Sequence, residues 1–453
     1  MDAGLRNWMA VLGMLLAQVA GAAPQTRELD IRQATPASVA AITASAGLAW
    51  WIGLGDSVLV TGEPAALDAI EQTHKLPRLR EWPALDPQEL LLEARGCGVH
   101  ASSLPALADV GRYALLRLPV PVARRALKTR GDVEPLTLNR HHVLRWDKDP
   151  RSLVKGMPDP NVQRVVAALD VPRWFTTLSA LAGFDRNTFG SGRAAARDWL
   201  VLQFQGIAGI NSVSTPSFPL QWGSLPYTSE NVLAVMPGLS LPDEWIVVGA
   251  HYDSRNPNAG PSGAANSPGA EDNASGCAGV LEMARLFSRF RAQRTMVFIC
   301  FSGEEQGLWG SYGHVSQLVS AGDLSKVRLM LNMDMIGYSG DADLDVLLET
   351  DSAQQALLAE FASQAQIYAP SLRIVNSTNP CCSDHVPYLQ NQLPALLTIA
   401  NDWNSYVHYH QSSDIPANVS NAQAMGGAIL RMNAAVLALR AGAGDAVFLG
   451  GFE

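Results

Sequence analysis

Two histidines and a set of carboxylates stand in short, polar, glycine-marked segments where chemistry is to be expected. His251 lies in Ala250-His251-Tyr252-Asp253-Ser254, and Asp272 lies in the run GAEDNASG at residues 269–276. Glu304 and Glu305 follow Ser302-Gly303, Asp334 sits in Asn332-Met333-Asp334-Met335, and His410 falls in YVHYHQSSD at residues 406–414. Imidazole and carboxylate donors suit zinc, and manganese or cobalt less well. The carboxylates exceed what one catalytic zinc needs. That surplus favours a two-metal site, with ions about 3.5–4 Å apart sharing a bridging carboxylate and a hydroxide. Any one of these residues could be an ordinary polar residue of a loop, but their arrival at successive strand ends calls for a common cause.

The elements that must position them can be read from periodicity. Strand-like runs at 231–236, 245–249, 295–301, 327–333 and 395–399 alternate with helix-like runs at 191–204, 279–290, 353–365 and 421–440. Ser191 offers a helix cap. Apolar strands alternating with helices predict an α/β three-layer sandwich, with a mostly parallel sheet covered on both faces. Ligands in such sheets gather beyond the carboxyl ends of the strands, which is where the named residues fall. Residues 23–155 read as a small N-terminal α/β domain: a strand pair at 50–61, a helix at 63–72, a strand at 113–118 and a short helix at 122–129. The charged, Pro- and Asp-containing stretch 147–160 reads as a linker to the unit spanning 161–441.

Over about 161–441 the chain resembles the co-catalytic zinc aminopeptidases of the bacterial leucyl aminopeptidase type. The motifs AHYDS, GAEDNASG, FSGEEQGLWGS, NMDMIGY and YHQSSD occur in that family's order. The resemblance implies a twisted mixed sheet of about eight strands between helices. It implies two zinc ions per chain, one on His251 and Asp334, the other on Glu305 and His410, with Asp272 bridging both and a cis peptide between Asp272 and Asn273. Glu304 would be the general base, taking a proton from the water and returning it to the leaving amine. Asp253 would fix the tautomer of His251. Tyr409 matches a position that donates a hydrogen bond to the oxyanion in some members, or it simply packs. The implied activity is an aminopeptidase acting on peptides with a free N-terminus and removing apolar residues. The rivals are a one-zinc glutaminyl cyclase, whose members usually lack the Asn273-Ala274-Ser275-Gly276 run present here, and a carboxypeptidase-like enzyme. A non-catalytic receptor-like domain would be expected to have lost ligands or base, and all are in place.

Other residues compete for these roles. His408 lies two positions from His410, but the spacing to Asp414 places the ligand at His410. His385 in Ser383-Asp384-His385 is expected to support a loop, and His314 and Glu271 are expected to be non-ligands. His74, His100, His141 and His142 form no constellation. Trp222, Trp309, Trp403 and Tyr406 are either pocket walls or core. Of five cysteines, Cys277 and Cys300 are expected to be packed thiols, Cys97 stands alone, and Cys381 and Cys382 could pair with each other or elsewhere.

The 453-residue chain carries a net charge of −9 and no Lys/Arg run, which argues against a nucleic-acid partner. Arg6, an apolar run at 8–19 and Ala20-Gly21-Ala22 read as a signal peptide spanning 1–22, so a mature, secreted or periplasmic protein is expected to begin near Ala23, free of the membrane. No further stretch reads as long and apolar enough to cross a bilayer. Residues 442–453 read as a tail. The N-terminal domain is either a prosegment or a permanent accessory domain, and the sequence indicates no oligomeric state.

Overall fold

The computed structural model describes residues 22–95, 106–129, 133–145, 157–222, 225–256 and 266–443. Residues 1–21 of the expected signal peptide, Cys97, His100 and most of the expected linker and tail lie outside the described residues.

The N-terminal region supplies β1 (Gln25–Asp30), β2 (Leu48–Leu54), β3 (Ser57–Gly62), β4 (Arg78–Pro83), β5 (Leu90–Ala94), β6 (Ala106–Val110), β7 (Tyr113–Arg117), β8 (Val133–Pro135) and β9 (Arg140–Arg145). The remainder supplies β10 (Ser212–Ser214), β11 (Ser217–Trp222), β12 (Leu225–Glu230), β13 (Val232–Met236), β14 (Leu241–His251), β15 (Arg294–Phe301), β16 (Val327–Met333), β17 (Leu344–Glu349), β18 (Leu372–Ser377) and β19 (Ala395–Ala400). Thirteen of these form one sheet in the order β10-β13-β15-β14-β16-β19-β17-β18-β9-β2-β3-β1-β4. Its first eight strands are the mixed sheet expected of the C-terminal unit. At its centre β15, β14, β16 and β19 run parallel. The N-terminal region is not a separate layer: β9 pairs antiparallel with β18, Asn376 opposite Leu144, and carries the sheet on through four more strands. A second sheet, β6-β7-β5-β8, packs against this junction.

Alternation along the central strands builds a core on each face. Ile246 and Val248 of β14 enter a core shared with the helices Val171–Leu181, Ser275–Arg289, Ala356–Tyr368 and Ala422–Ala441. Val247 enters the opposite one with Val315 and Leu318 of the helix Trp309–Ala321. The helix Ala422–Ala441 is long and apolar enough to span a bilayer, contrary to the sequence reading, but 78% of its most apolar window is buried inside the structure. It is the central helix of a core. The helix read as 279–290 begins earlier, at Ser275, because the Asn273 side chain accepts from the Gly276 N–H at 2.8 Å. Ser191 does precede a helix, Gly192–Gln205, but its side chain makes no capping bond.

Candidate metal centre

Each expected ligand sits at the carboxyl end of a central strand or in the loop that follows it. His251 is the last residue of β14. Glu304 and Glu305 open a short 3-10 turn after β15, which Gly303 enters with φ +70. Asp334 follows β16 directly, and His410, at φ +56, lies in the loops after β19. Asp272 lies between β14 and the helix Ser275–Arg289, and its peptide to Asn273 is cis. Gly269, at φ +52, opens that turn in a space where a Cβ would stand 2.2 Å from the Asp272 carbonyl oxygen.

These side chains converge. Asp272 stands between the two imidazoles, with Oδ1 3.2 Å from His251 Nε2 and Oδ2 3.0 Å from His410 Nε2. His251 Nε2 is also 3.6 Å from Asp334 Oδ1 and 3.7 Å from Glu304 Oε2, while His410 Nε2 is 3.0 Å from Glu305 Oε2. Two groups with potential donor atoms within 4.8 Å of one another result: His251, Glu304 and Asp334, and His251, Asp272 and Glu305. The buried Nε2 of His251 and His410, both carboxylate oxygens of Asp272, Glu304 and Glu305, and Asp334 Oδ1 have no hydrogen-bond partner. Buried polar atoms are normally partnered. A convergent set of unpartnered imidazole nitrogens and carboxylate oxygens is therefore a donor set directed at cations, and its chemistry fits zinc.

The electrostatics agree. Burial disfavours charge on His251 and His410, yet the carboxylates, Glu304 foremost for His251 and Glu305 for His410, raise the first well above 6.5 and the second to about 9. Burial raises Glu304 well above the usual carboxylate range and raises Glu305 as well. Asp272 is held low against its burial by the imidazoles on either side.

The surrounding shell holds the cluster by main-chain bonds that sequence patterns do not advertise. His251 Nδ1 lies 3.0 Å from the Asp253 carbonyl oxygen and 3.6 Å from its carboxylate, so it is mainly the main chain of residue 253 that fixes the tautomer. The Asp253 carboxylate accepts from Thr188 Oγ1 (2.7 Å) and the Glu304 N–H (3.3 Å). Asp414 accepts from the N–H groups of Glu271 (2.9 Å) and Asp272 (3.0 Å) and from the Tyr406 hydroxyl (2.7 Å), which ties the His410 loop to the Asp272 turn. Glu271, no ligand, accepts from Gly337 and Tyr338 N–H, each at 2.9 Å, behind Asp334. Ser383 Oγ donates to Asp334 Oδ2 at 2.7 Å. Fully buried Arg186 clamps the Asp272 loop through the carbonyl oxygens of Tyr252 (2.7 Å), Gly269 (2.7 Å) and Pro268.

The competing residues separate from the site. His408 Nδ1 pairs with Ser413 Oγ at 2.9 Å and His314 Nδ1 with the Tyr388 hydroxyl at 2.6 Å, while His385 Nε2 faces Glu349 Oε1 at 3.4 Å without a hydrogen bond. Cys381 and Cys382 are disulfide-bonded to each other, and Cys277 and Cys300 are buried thiols. Tyr409 stacks on His410, ring centroids 3.7 Å apart. Trp403 and Tyr406 are buried in a core shared with the N-terminal region, and Trp309 is half-buried.

Residues 231–435 match the sequence profile of peptidase family M28. A probable leucine aminopeptidase of Trichophyton verrucosum (strain HKI 0517) is 30% identical over 257 residues, 54% of this chain and 68% of that protein. The chain belongs to peptidase family M28. A probable zinc metalloprotease of Pyrenophora teres f. teres (strain 0-1) is 33% identical to this M28 chain over 212 residues, 43% of the chain and 44% of that protein. The chain thus spans less than half the length of such zinc metalloprotease relatives. Among solved structures, the LapA aminopeptidase of Legionella pneumophila superposes with a TM-score of 0.53 at 16% identity, covering 93% of this chain and 99% of that one, which shows a shared fold.

Proposed function

We propose that this M28 chain is an exported two-zinc aminopeptidase that removes apolar residues from the free N-terminus of peptides. The observation that carries the reading is the Asp272 carboxylate standing between His251 and His410, each at 3.0–3.2 Å from one of its oxygens. On this reading His251 and Asp334 hold one ion, Glu305 and His410 the other, and Asp272 both. Two divalent ions would also offset the cost of keeping the buried carboxylates of Asp272, Glu304, Glu305 and Asp334 ionised. Bound there, zinc supplies Lewis acidity towards the scissile carbonyl and makes water a nucleophile near neutral pH.

The chain's own residues do the rest. Glu304 is the general base: its buried carboxylate lies beside the cluster, 3.7 Å from His251 Nε2, and neither oxygen is tied up in a hydrogen bond, so it can take a proton there and return it to the leaving amine. The bond from the Glu304 N–H to Asp253 fixes the turn that aims it. The flat stacking of Tyr409 on His410 supports a packing role there ahead of a hydrogen bond to the oxyanion. Export to the periplasm or medium rests on residues 1–22 alone.

Purified protein should release p-nitroaniline from leucine p-nitroanilide, lose that activity to a zinc chelator and regain it with zinc, with two zinc ions per chain by metal analysis. Cleavage of the N-acetylated substrate in preference to the free amine sinks the aminopeptidase reading, and a single zinc sinks the two-metal reading.

A further inference from the structure

Arg112 belongs to the N-terminal region, at the turn between β6 and β7, yet its side chain ends beside the metal centre. Only 2% of it is exposed. Its Nη2 donates to the Cys382 carbonyl oxygen at 2.6 Å, its Nη1 lies 3.9 Å from Asp334 Oδ2, and its guanidinium stands 5.2 Å from the centroid of the Trp403 ring. Carboxylate, carbonyl and aromatic face together make a receptor for an organic cation. Val110, Tyr113 and Val143 of the N-terminal region close over the same apolar wall that contains Trp403 and Tyr406. An aminopeptidase must accommodate one cation that every substrate carries, the ammonium of its free N-terminus.

We propose that Arg112 is an internal competitor for that ammonium, and that displacing it sets the affinity of the full-length protein for its substrates. The inference rests on the aminopeptidase reading above. Substrate then binds only the fraction of molecules in which the guanidinium has withdrawn, and apparent affinity falls by that fraction. A fixed prop for Asp334 is the other role open to Arg112, but Ser383 already holds the same oxygen at 2.7 Å, well inside the 3.9 Å of the guanidinium. The site of attachment suits withdrawal. Val110 pairs with Tyr113 across the hairpin, so Gly111 and Arg112 are turn residues, and the side chain can move without breaking a ladder pair.

Steady-state kinetics on leucine p-nitroanilide with the zinc-loaded, full-length protein tests this. Arg112→Ala should lower KM by about tenfold or more while kcat and zinc content hold, and Arg112→Lys, which keeps the cation, should retain the wild-type KM. An unchanged or raised KM in Arg112→Ala, or a fall in kcat with zinc retained, overturns the proposal in favour of a prop. Should Arg112→Ala fail to fold, Arg112→Met decides, since it keeps the apolar stem and removes the cation: its KM should fall likewise with kcat held, and an unchanged KM overturns the proposal. If the protein cleaves only the N-acetylated substrate, the aminopeptidase reading falls on its own. Calorimetry of leucinol binding to wild type and Arg112→Ala then reads Arg112 separately, and equal affinities overturn the competitor.

Discussion

Glu304 and Glu305 are adjacent in the chain and both fully buried, yet the turn that carries them sends them to different partners. Glu305 meets His410 at 3.0 Å, whereas Glu304 lies 3.7 Å from His251, on the other side of Asp272. If Glu304 is the base and Glu305 a ligand, the isosteric amides should fail in different ways. Glu304→Gln should keep both zinc ions and lose roughly 10²–10⁴-fold in kcat, the range that a positioned general base contributes. Glu305→Gln should lose zinc first, with activity following occupancy as zinc is titrated back. Metal analysis beside kcat separates the two cases, and equal zinc loss in both variants would mean that Glu304 is itself a ligand.

At the scale of the element, the helix Ser275–Arg289 is the piece that locks the bridging carboxylate to the sheet. Its second residue, Gly276, comes so close to β16 that a Cβ would stand 2.3 Å from the Met333 carbonyl oxygen and 2.4 Å from Asn273 Oδ1. Gly276→Ala should therefore cost about 1–3 kcal/mol by overpacking against main chain that cannot move aside, and weaken zinc binding because the Asn273 side chain that it would displace adjoins Asp272. Thermal melts with and without zinc check this, and an unchanged Tm in both would show that the helix has room to shift. The element also shows what the sequence could tell. The strands were legible because their apolar runs are long, and the ligands because glycine-marked motifs follow each run. The helix start was not, since Asn273, Ser275 and Gly276 have no apolar period and act through main-chain bonds. Arg186 and Arg112 were missed, and Asp414 was read only as a marker for His410, for the same reason: their partners are carbonyls, amides or carboxylates of segments distant in the chain, which no local pattern records.

For the whole molecule, the question is whether the N-terminal region can be separated from the rest. Its strands continue the same sheet through the β9–β18 pairing, and Arg373 ties to Asp56 at 2.6 Å across the junction. Trp50, Ile52, Leu54 and Val143 on one side share a core with Leu347, Val375, Leu397, Ile399, Trp403 and Tyr406 on the other. Each such side chain contributes about 1.5–3 kcal/mol when fully buried. Uncovering those six therefore costs about as much as the roughly 5–15 kcal/mol by which a native protein is stable at all. It would also leave β18 as an open edge, a template for pairing with other chains. A chain beginning at residue 157 should accordingly be insoluble or self-associate, and in light scattering it should not run as a monomer. A monomeric truncated chain with the Tm and zinc content of the full-length protein would instead identify the N-terminal region as a detachable prosegment. The shared core argues for a permanent accessory domain, one that reaches the metal centre through Arg112.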